Sequence, residues 1–174
     1  MNSRITRTVP YCIARISFVE IVILRTEEME LARLTFNDFD RILAFEEKNF
    51  PSDPWGKEIW EELLTDDECY YYAYLVNSEI AANVFIAKDP LGYIKIMNLA
   101  VAEEYRGRGI AVKLLNYITD HYTKEGYSQF KGETRESNLA MQQVFEKSGY
   151  QRTSLHENMY DKPRENGLKY RLIK

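Results

Sequence analysis

An α/β (α+β) domain of six to seven strands and about four helices is what this 174-residue sequence predicts, and three observations carry that reading. Runs rich in Tyr, Val and Ile alternate with stretches whose apolar residues recur at helical spacing. Turn signals separate these segments, while no long linker, internal repeat or low-complexity tract divides the chain. An apolar content of 45% with 13% aromatic residues is enough for one domain with a real core at this length.

The elements follow in order. Glu30-Leu-Ala-Arg-Leu34 reads as a first strand. Thr35 with Asp38 three residues on marks a helix start, and Phe39, Ile42, Leu43, Phe45 and Phe50 give residues 36–49 an apolar face that Pro51 ends. Asp53 before Pro54 is an N-cap and first-turn signal for a second helix over 54–64. Residues 70–76 and 80–87 read as strands joined by the tight turn Asn77-Ser-Glu79, and 93–101 as the next strand. Helical spacing then places Ile110, Leu114, Leu115, Ile118 and Tyr122 on one face. Residues 128–134 form another strand. Ser137 or Asn138 caps a short helix with Leu139, Ala140, Val144 and Phe145 as its apolar stripe and Gly149 as its stop. Strands over 150–159 and 168–173 complete the set.

The most informative segment is Asn98-Leu-Ala-Val-Ala-Glu-Glu-Tyr-Arg106-Gly-Arg-Gly109-Ile-Ala111, where a strand runs through a turn with two glycines and two arginines straight into a helix. The first amides of a helix lack intrahelical acceptors, and the aligned peptide dipoles leave about half a positive charge there, so an anion is favoured. Gly107 and Gly109 permit close backbone approach and positive φ. Arg106 and Arg108 add charge and forked donors. A P-loop would need Gly-x-x-x-x-Gly-Lys-Ser/Thr, and a dinucleotide fingerprint a third glycine where Val112 stands; neither pattern occurs.

Arg106-x-x-Gly109-x-Ala111 resembles the Gln/Arg-x-x-Gly-x-Gly/Ala motif of the GCN5-related N-acetyltransferases (GNAT). About 25 residues on, Glu133-x-Arg135-x-Ser137-Asn138, followed by Val144-Phe145 and Gly149-Tyr150, is similar to the ribosomal-protein alanine N-terminal acetyltransferase branch. The resemblance spans residues 29–174 and implies a single GNAT-like domain, a mixed central sheet flanked by helices, with acetyl-coenzyme A (acetyl-CoA) as cosubstrate and no metal. It implies that residues 107–112 with Arg106 hold the pyrophosphate, that Leu99, Ala100 and Val101 present amides and carbonyls to the pantetheine arm, and that Asn138 and Phe145 stand beside the cofactor. Residues 1–28 lie outside it and are expected to be an N-terminal extension; alternatively, residues 16–24 add an edge strand.

Acetyl transfer to an amine needs a neutral amine, a held thioester and a proton for the departing sulfur. Deprotonating an α-amine of ordinary pKa 7.7–8.0 at pH 7 costs about 1 to 1.4 kcal/mol, against about 4.6 kcal/mol for a lysine side chain, so a weak base suffices for a chain terminus. The resemblance puts that base at Glu133, acting directly or through water, while a salt-bridged strand-end carboxylate is the alternative reading of the same residue. Where relatives place a tyrosine as acid, this chain has Phe145; Tyr160, Tyr150 or Tyr93 are the substitutes available. Coenzyme A thiol, with a pKa near 8.5, can also leave with a proton from water, so the missing hydroxyl should slow turnover without abolishing it.

Residues 50–55 between the first two helices and 160–165 opposite are the expected walls of an acceptor groove. A peptide N-terminus and a small-molecule amine both remain open as acceptors, as does a coenzyme A binding module without turnover, because fold does not decide substrate. A net charge of −4 disfavours general attraction to nucleic acid or an anionic membrane. Cys12 and Cys69 are far apart, no apolar run approaches membrane-spanning length, and neither His121 nor His156 has an acidic partner at a metal-site spacing. The expected setting is cytoplasmic, for a monomer or homodimer.

Overall fold

The computed structural model describes residues 29–50 and 55–174. The extension 1–28, the edge strand considered for 16–24 and the Pro51, Asp53 and Pro54 signals all fall outside those residues. A seven-stranded mixed sheet in the order β1-β2-β3-β4-β5-β7-β6 forms the frame. The strands are β1 (Glu30–Leu34), β2 (Cys69–Val76), β3 (Glu79–Asp89), β4 (Tyr93–Val101), β5 (Gln129–Arg135), β6 (Gln151–Asp161) and β7 (Arg164–Ile173). All neighbours are antiparallel except β4 and β5, which α3 (Ile110–Lys124) joins as a crossover. The other helices are α1 (Phe39–Asn49), α2 (Lys57–Thr65) and α4 (Leu139–Lys147).

Period-two alternation divides the buried side chains between the two faces of the sheet. Tyr71, Ala73 and Phe85 face Ile42 and Phe45 of α1 and Trp60 of α2. Tyr72, Val84, Ile86, Ile94 and Phe130 face α3 and Phe145 of α4. The α3 stripe read from sequence, Ile110, Leu114, Leu115, Ile118 and Tyr122, is buried in full. The turn at Asn77 and Ser78 has φ of 49° and 68°, so positive φ at both centres fits a two-residue hairpin and pins the register of β2 on β3.

Four readings need correction. Thr35 and Asp38 do form a reciprocal capping box, but on a 3-10 turn (Phe36–Asp38), so α1 begins at Phe39. The last hairpin is longer than its hydrophobic pattern because β7 starts at Arg164, where Glu165, Asn166 and Gly167 conceal a strand. In α4 only Phe145 is buried; Leu139 is 65% exposed, and Ala140 and Val144 border an open cleft. The second helix, read over 54–64, begins later: α2 starts at Lys57 with Gly56, in extended backbone, as its N-cap.

Candidate active site

The turn after β4 is built from backbone. Gly107 and Gly109 have φ of +75° and +74°, in the left-handed region where an L side chain is strained. Gly109 is the N-cap of α3 and offers no side-chain acceptor, and the first intrahelical bond runs from Lys113 N to Gly109 O at 3.1 Å. The amides of Ile110, Ala111 and Val112 therefore point out of the helix start without an intrahelical acceptor. No acidic residue occupies that first turn, so no neighbour on the helix offsets its positive end. The two arginines brace the loop: Arg106 Nε donates to Val101 O at 2.9 Å, and an Arg108 guanidinium nitrogen donates to Glu104 O at 3.0 Å while the group lies over the Tyr105 ring.

In front of this helix start lies a cleft of about 520 Å³ between α3, α4 and β4. Of the residues singled out by sequence, Leu99, Ala100 and Val101, then Arg106, Gly107, Gly109, Ile110, Ala111 and Val112, and finally Asn138 border it. Arg108 and Phe145 do not. Asn138 also caps α4, its Oδ1 accepting from Met141 N at 3.0 Å, so one side chain serves both as cap and as cleft wall.

Beyond this cleft the sheet opens. The parallel pairing of β4 and β5 extends only over Ile94 to Ile96 against Phe130 to Gly132, and β4 bulges between Ile96 and Asn98. A second cleft of about 330 Å³ lies here, bordered by Met97, Asn98, Glu133, Phe145, Tyr160 and Glu46. Asn49, Phe50, Leu99, Asn138 and Met141 border both clefts, which makes them one continuous channel through the splayed strands.

A chain of side-chain amides props the bulge. Ala100 N donates to Asn83 Oδ1 at 2.9 Å, Asn83 Nδ2 to Asn98 Oδ1 at 3.0 Å, and Asn98 Nδ2 to Glu46 Oε2 at 3.0 Å. The Ala100 amide is thus engaged internally, and Arg106 engages the Val101 carbonyl. Glu46 is 1% exposed, its Oε1 has no hydrogen-bond partner, and burial pushes its carboxyl up to about 8, against the lowering effect of the Asn98 bond.

Glu133 sits differently. Half-buried on β5, it has Lys169 Nζ at 3.5 Å and Lys95 Nζ at 3.9 Å, and it separates the channel from a third cleft lined by Tyr93, Lys131 and Arg171. Phe145 is 1% exposed and stacks on Tyr170 with ring centroids 4.8 Å apart. Its ring passes directly over Gly132, where an added Cβ would overlap Cζ and Cε1. Among the three tyrosines considered as acids, Tyr160 borders the channel under the Arg135 guanidinium. Tyr150 is buried with its hydroxyl 3.3 Å from Thr119 Oγ1, and Tyr93 lies in the third cleft with Lys131 Nζ over its ring.

The two stretches expected as acceptor walls, 50–55 and 160–165, are described in part. Trp55 borders the channel and packs against Trp60, while residues 51–54 lie outside the described ones. On the other side, Arg135 donates to the carbonyls of Lys162 and Pro163 and Ser137 N donates to Glu165, which ties the β6–β7 hairpin tip to the turn before α4.

Glu46, Asn83 and Asn98 are the site residues that sequence reading missed. The signal existed: Glu46 falls four residues after Ile42 and seven after Phe39, on the apolar face of α1, and the two asparagines interrupt otherwise apolar strands.

A mixed sheet splayed at one parallel pair, with an uncapped helix start on one side and a buried carboxyl on the other, is a frame that can hold an extended anionic ligand beside a proton-handling group. Residues 34–150 match the model of the Acetyltransferase (GNAT) family, and the chain belongs to that family: it is an N-acetyltransferase. Among its relatives, the [ribosomal protein bS18]-alanine N-acetyltransferase of Haemophilus ducreyi is 28% identical over 136 residues, which cover 75% of this chain and 90% of the relative. The Escherichia coli protein of the same name is 25% identical over 107 residues, 62% of this chain and 71% of the relative. In fold, the crystal structure of the ribosomal-protein-S18-alanine N-acetyltransferase from Escherichia coli superposes with a TM-score of 0.76 at 21% identity, covering 84% of this chain and 94% of that one. Arabidopsis thaliana NAA60 in complex with acetyl-CoA gives 0.74 at 13% identity, covering 84% and 98%.

Proposed function

We propose that this enzyme transfers the acetyl group of acetyl-CoA to a protein N-terminal α-amine in the cytoplasm. The observation that carries the proposal is the continuous channel from the uncapped start of α3 to the carboxyl groups of Glu46 and Glu133. The amides of residues 110–112 with the Gly107–Gly109 turn suit a diphosphate, because their donors are unsatisfied within the helix. The edge of β4 beyond Ile96, which has lost its partner strand, suits an extended arm with amide groups. Asn138 stands where the two clefts meet. Bound acetyl-CoA supplies the activated acyl group; the protein's part is to hold it, exclude water and manage protons.

An α-amine is the acceptor favoured by proton cost and by the names of the sequence relatives. Tyr160, the tyrosine that borders the channel, is the proposed donor to the departing sulfur. The test is thiol release with acetyl-CoA and a panel of peptides, with mass spectrometry of the products. Acetylation confined to the peptide N-terminus is expected. Thermal stabilisation by acetyl-CoA without thiol release from any amine would leave only a binding module, and turnover confined to small amines would overturn the peptide reading. In cells, loss of the gene is expected to remove a subset of acetylated protein N-termini.

A further inference from the structure

Native proteins rarely leave a buried charged-type oxygen without a partner, and such an atom in a channel wall invites a donor from outside. Glu46 borders the channel, and its buried Oε1 is an oxygen without a partner. We propose that Glu46 receives the acceptor's ammonium group at Oε1 and takes its proton, a role that rests on the amine-acceptor reading above. The geometry is specific to this end of the carboxyl. Oε2 is fixed by Asn98, and Asn98 is fixed by Asn83, so the side chain cannot swing to satisfy Oε1 elsewhere without breaking the chain of amides that props β4.

The neighbours of Glu46 offer no counter-charge. From β4 it meets the neutral amide of Asn98, which Asn83 of β3 holds in turn, and from β2 the field of the Tyr71 hydroxyl; Trp60 of α2 belongs to the same buried cluster, and Arg135 of β5 borders the same cleft. Among the described residues no Lys, Arg or His pairs with it. A substrate ammonium is a compact cation with three donors, and it would supply the missing charge. In surroundings that disfavour ions, the pair can relax by moving one proton from nitrogen to Oε1, leaving a neutral amine and a carboxylic acid with no change in total charge. The N–H bond breaks, an O–H bond forms, and the nitrogen lone pair becomes free to attack. The acyl carbon then exchanges its bond to sulfur for one to nitrogen. Of the two protons that nitrogen sheds overall, the first goes through Oε1 to solvent and the second ends on sulfur. Burial raises Glu46 to about 8, so at pH 7 the empty site holds the carboxyl protonated; the arriving ammonium displaces that proton to solvent, and with an ordinary α-amine at 7.7–8.0 the transfer from nitrogen to Oε1 is then close to balanced.

Glu133 has a different situation, with both oxygens near lysines: Oε1 faces Lys169 and Oε2 faces Lys95. It borders both the channel and the third cleft.

Glu46→Gln tests the assignment, because glutamine keeps the size and can still accept from Asn98 but cannot take a proton. With saturating acetyl-CoA and a free-amine peptide, kcat at pH 7 is expected to fall on the order of 10²- to 10⁴-fold, while acetyl-CoA affinity stays within about twofold. An acceptor that is already neutral at pH 7, such as a peptide hydrazide, is expected to recover most of that loss. The stability profile gives an independent readout. The folded protein keeps the Glu46 proton up to about 8 whereas the unfolded chain loses it near 4.5, so the wild type loses stability between those values as pH rises. E46Q should lack that decline and melt no lower than wild type at pH 9. A rate within threefold of wild type with the same pH profile overturns the proposal, and so does an equal loss for amine and hydrazide. If E46Q does not fold, Glu46→Asp, which withdraws the carboxyl, is expected to show the same selective loss on amines. A wild type that acetylates no peptide sinks the peptide reading instead, and the E46Q comparison is then made on whichever small amine releases thiol.

Discussion

The two ends of the channel are made of different material. At the α3 end the groups proposed to bind are main-chain amides, held by two glycines with positive φ and braced by arginines that grip loop carbonyls. At the β4–β5 end they are side chains brought together from α1, β3, β4, β5 and β6. A site built from backbone needs particular residues at particular spacings, because only glycine adopts those angles without strain and the turn must deliver the chain directly into a helix. A site built from converging side chains needs only that distant residues meet. The first kind leaves a local record in the sequence; the second does not.

Breaking the backbone end is expected to have the largest effect. Gly109→Asp forces an L side chain to φ +74° and puts a negative charge at the helix start. Electrostatic loss of up to about 2 kcal/mol predicts a fall of up to about 30-fold in acetyl-CoA affinity, measured by calorimetry, while strain of about 1–2 kcal/mol falls on the fold itself. Since an added Cβ at Gly109 meets no protein atom within 4 Å, the fold should survive, and a normal melting temperature with unchanged affinity would remove this loop from cofactor binding.

The hinge between the ends comes next. At Gly132 the backbone angle is ordinary, and the glycine is needed because the Phe145 ring occupies the space of a side chain. Gly132→Ala must push that ring off Tyr170 or shift β5 at the last pair before the strands splay. A loss of about 1–3 kcal/mol in denaturant unfolding is expected, the usual cost of overpacking a tight core. Rescue by Phe145→Leu in the double variant would show that the cost is this one contact.

The same contrast explains what was legible beforehand. The α3 stripe, β4 with its exact limits, the Asn77-Ser78 turn and the phosphate-type loop each depend on neighbours within one or two turns of chain. The α4 stripe was misread because period alone cannot tell a face that packs on a sheet from one that faces a cleft. Glu46 was passed over because a carboxylate among Phe39, Ile42 and Phe45 looks like an interruption until Asn98, 52 residues away, is seen to bond it. The early strand of β7 was hidden by polar and glycine residues whose place in the sheet is secured by β5 and β6 on either side.

Among the side chains, Glu133 is expected to matter less than its position in the motif implies. Glu133→Gln removes an anion held between Lys95 and Lys169 on a half-exposed strand face, a type of pair worth about 0.2–1 kcal/mol, so kcat/KM should fall no more than about fivefold. The loss should be the same at pH 6 and pH 9. A larger loss at pH 6, where the acceptor is still protonated, would mark Glu133 as the base and transfer to it the role proposed for Glu46.

The smallest change concerns the absent acid. Phe145 borders the channel, and its Cζ is the atom closest to the position a Cβ would take at Gly132. Phe145→Tyr adds a hydroxyl at that carbon, at the end of the channel where the sulfur of a bound thioester would part from its acyl group. General acids contribute about 10²–10⁴ where nothing else can donate, but here water and Tyr160 already have access, so a rise of only about two- to tenfold in kcat is expected. Burying the new hydroxyl without a partner would cost about 1–3 kcal/mol of stability, which separates the two outcomes. Faster turnover with little loss of stability means that the hydroxyl reaches the channel and sulfur protonation limits the rate. Unchanged turnover with a lower melting temperature means that the ring stays over Gly132 with its oxygen in the core, and that Tyr160 or water already suffices.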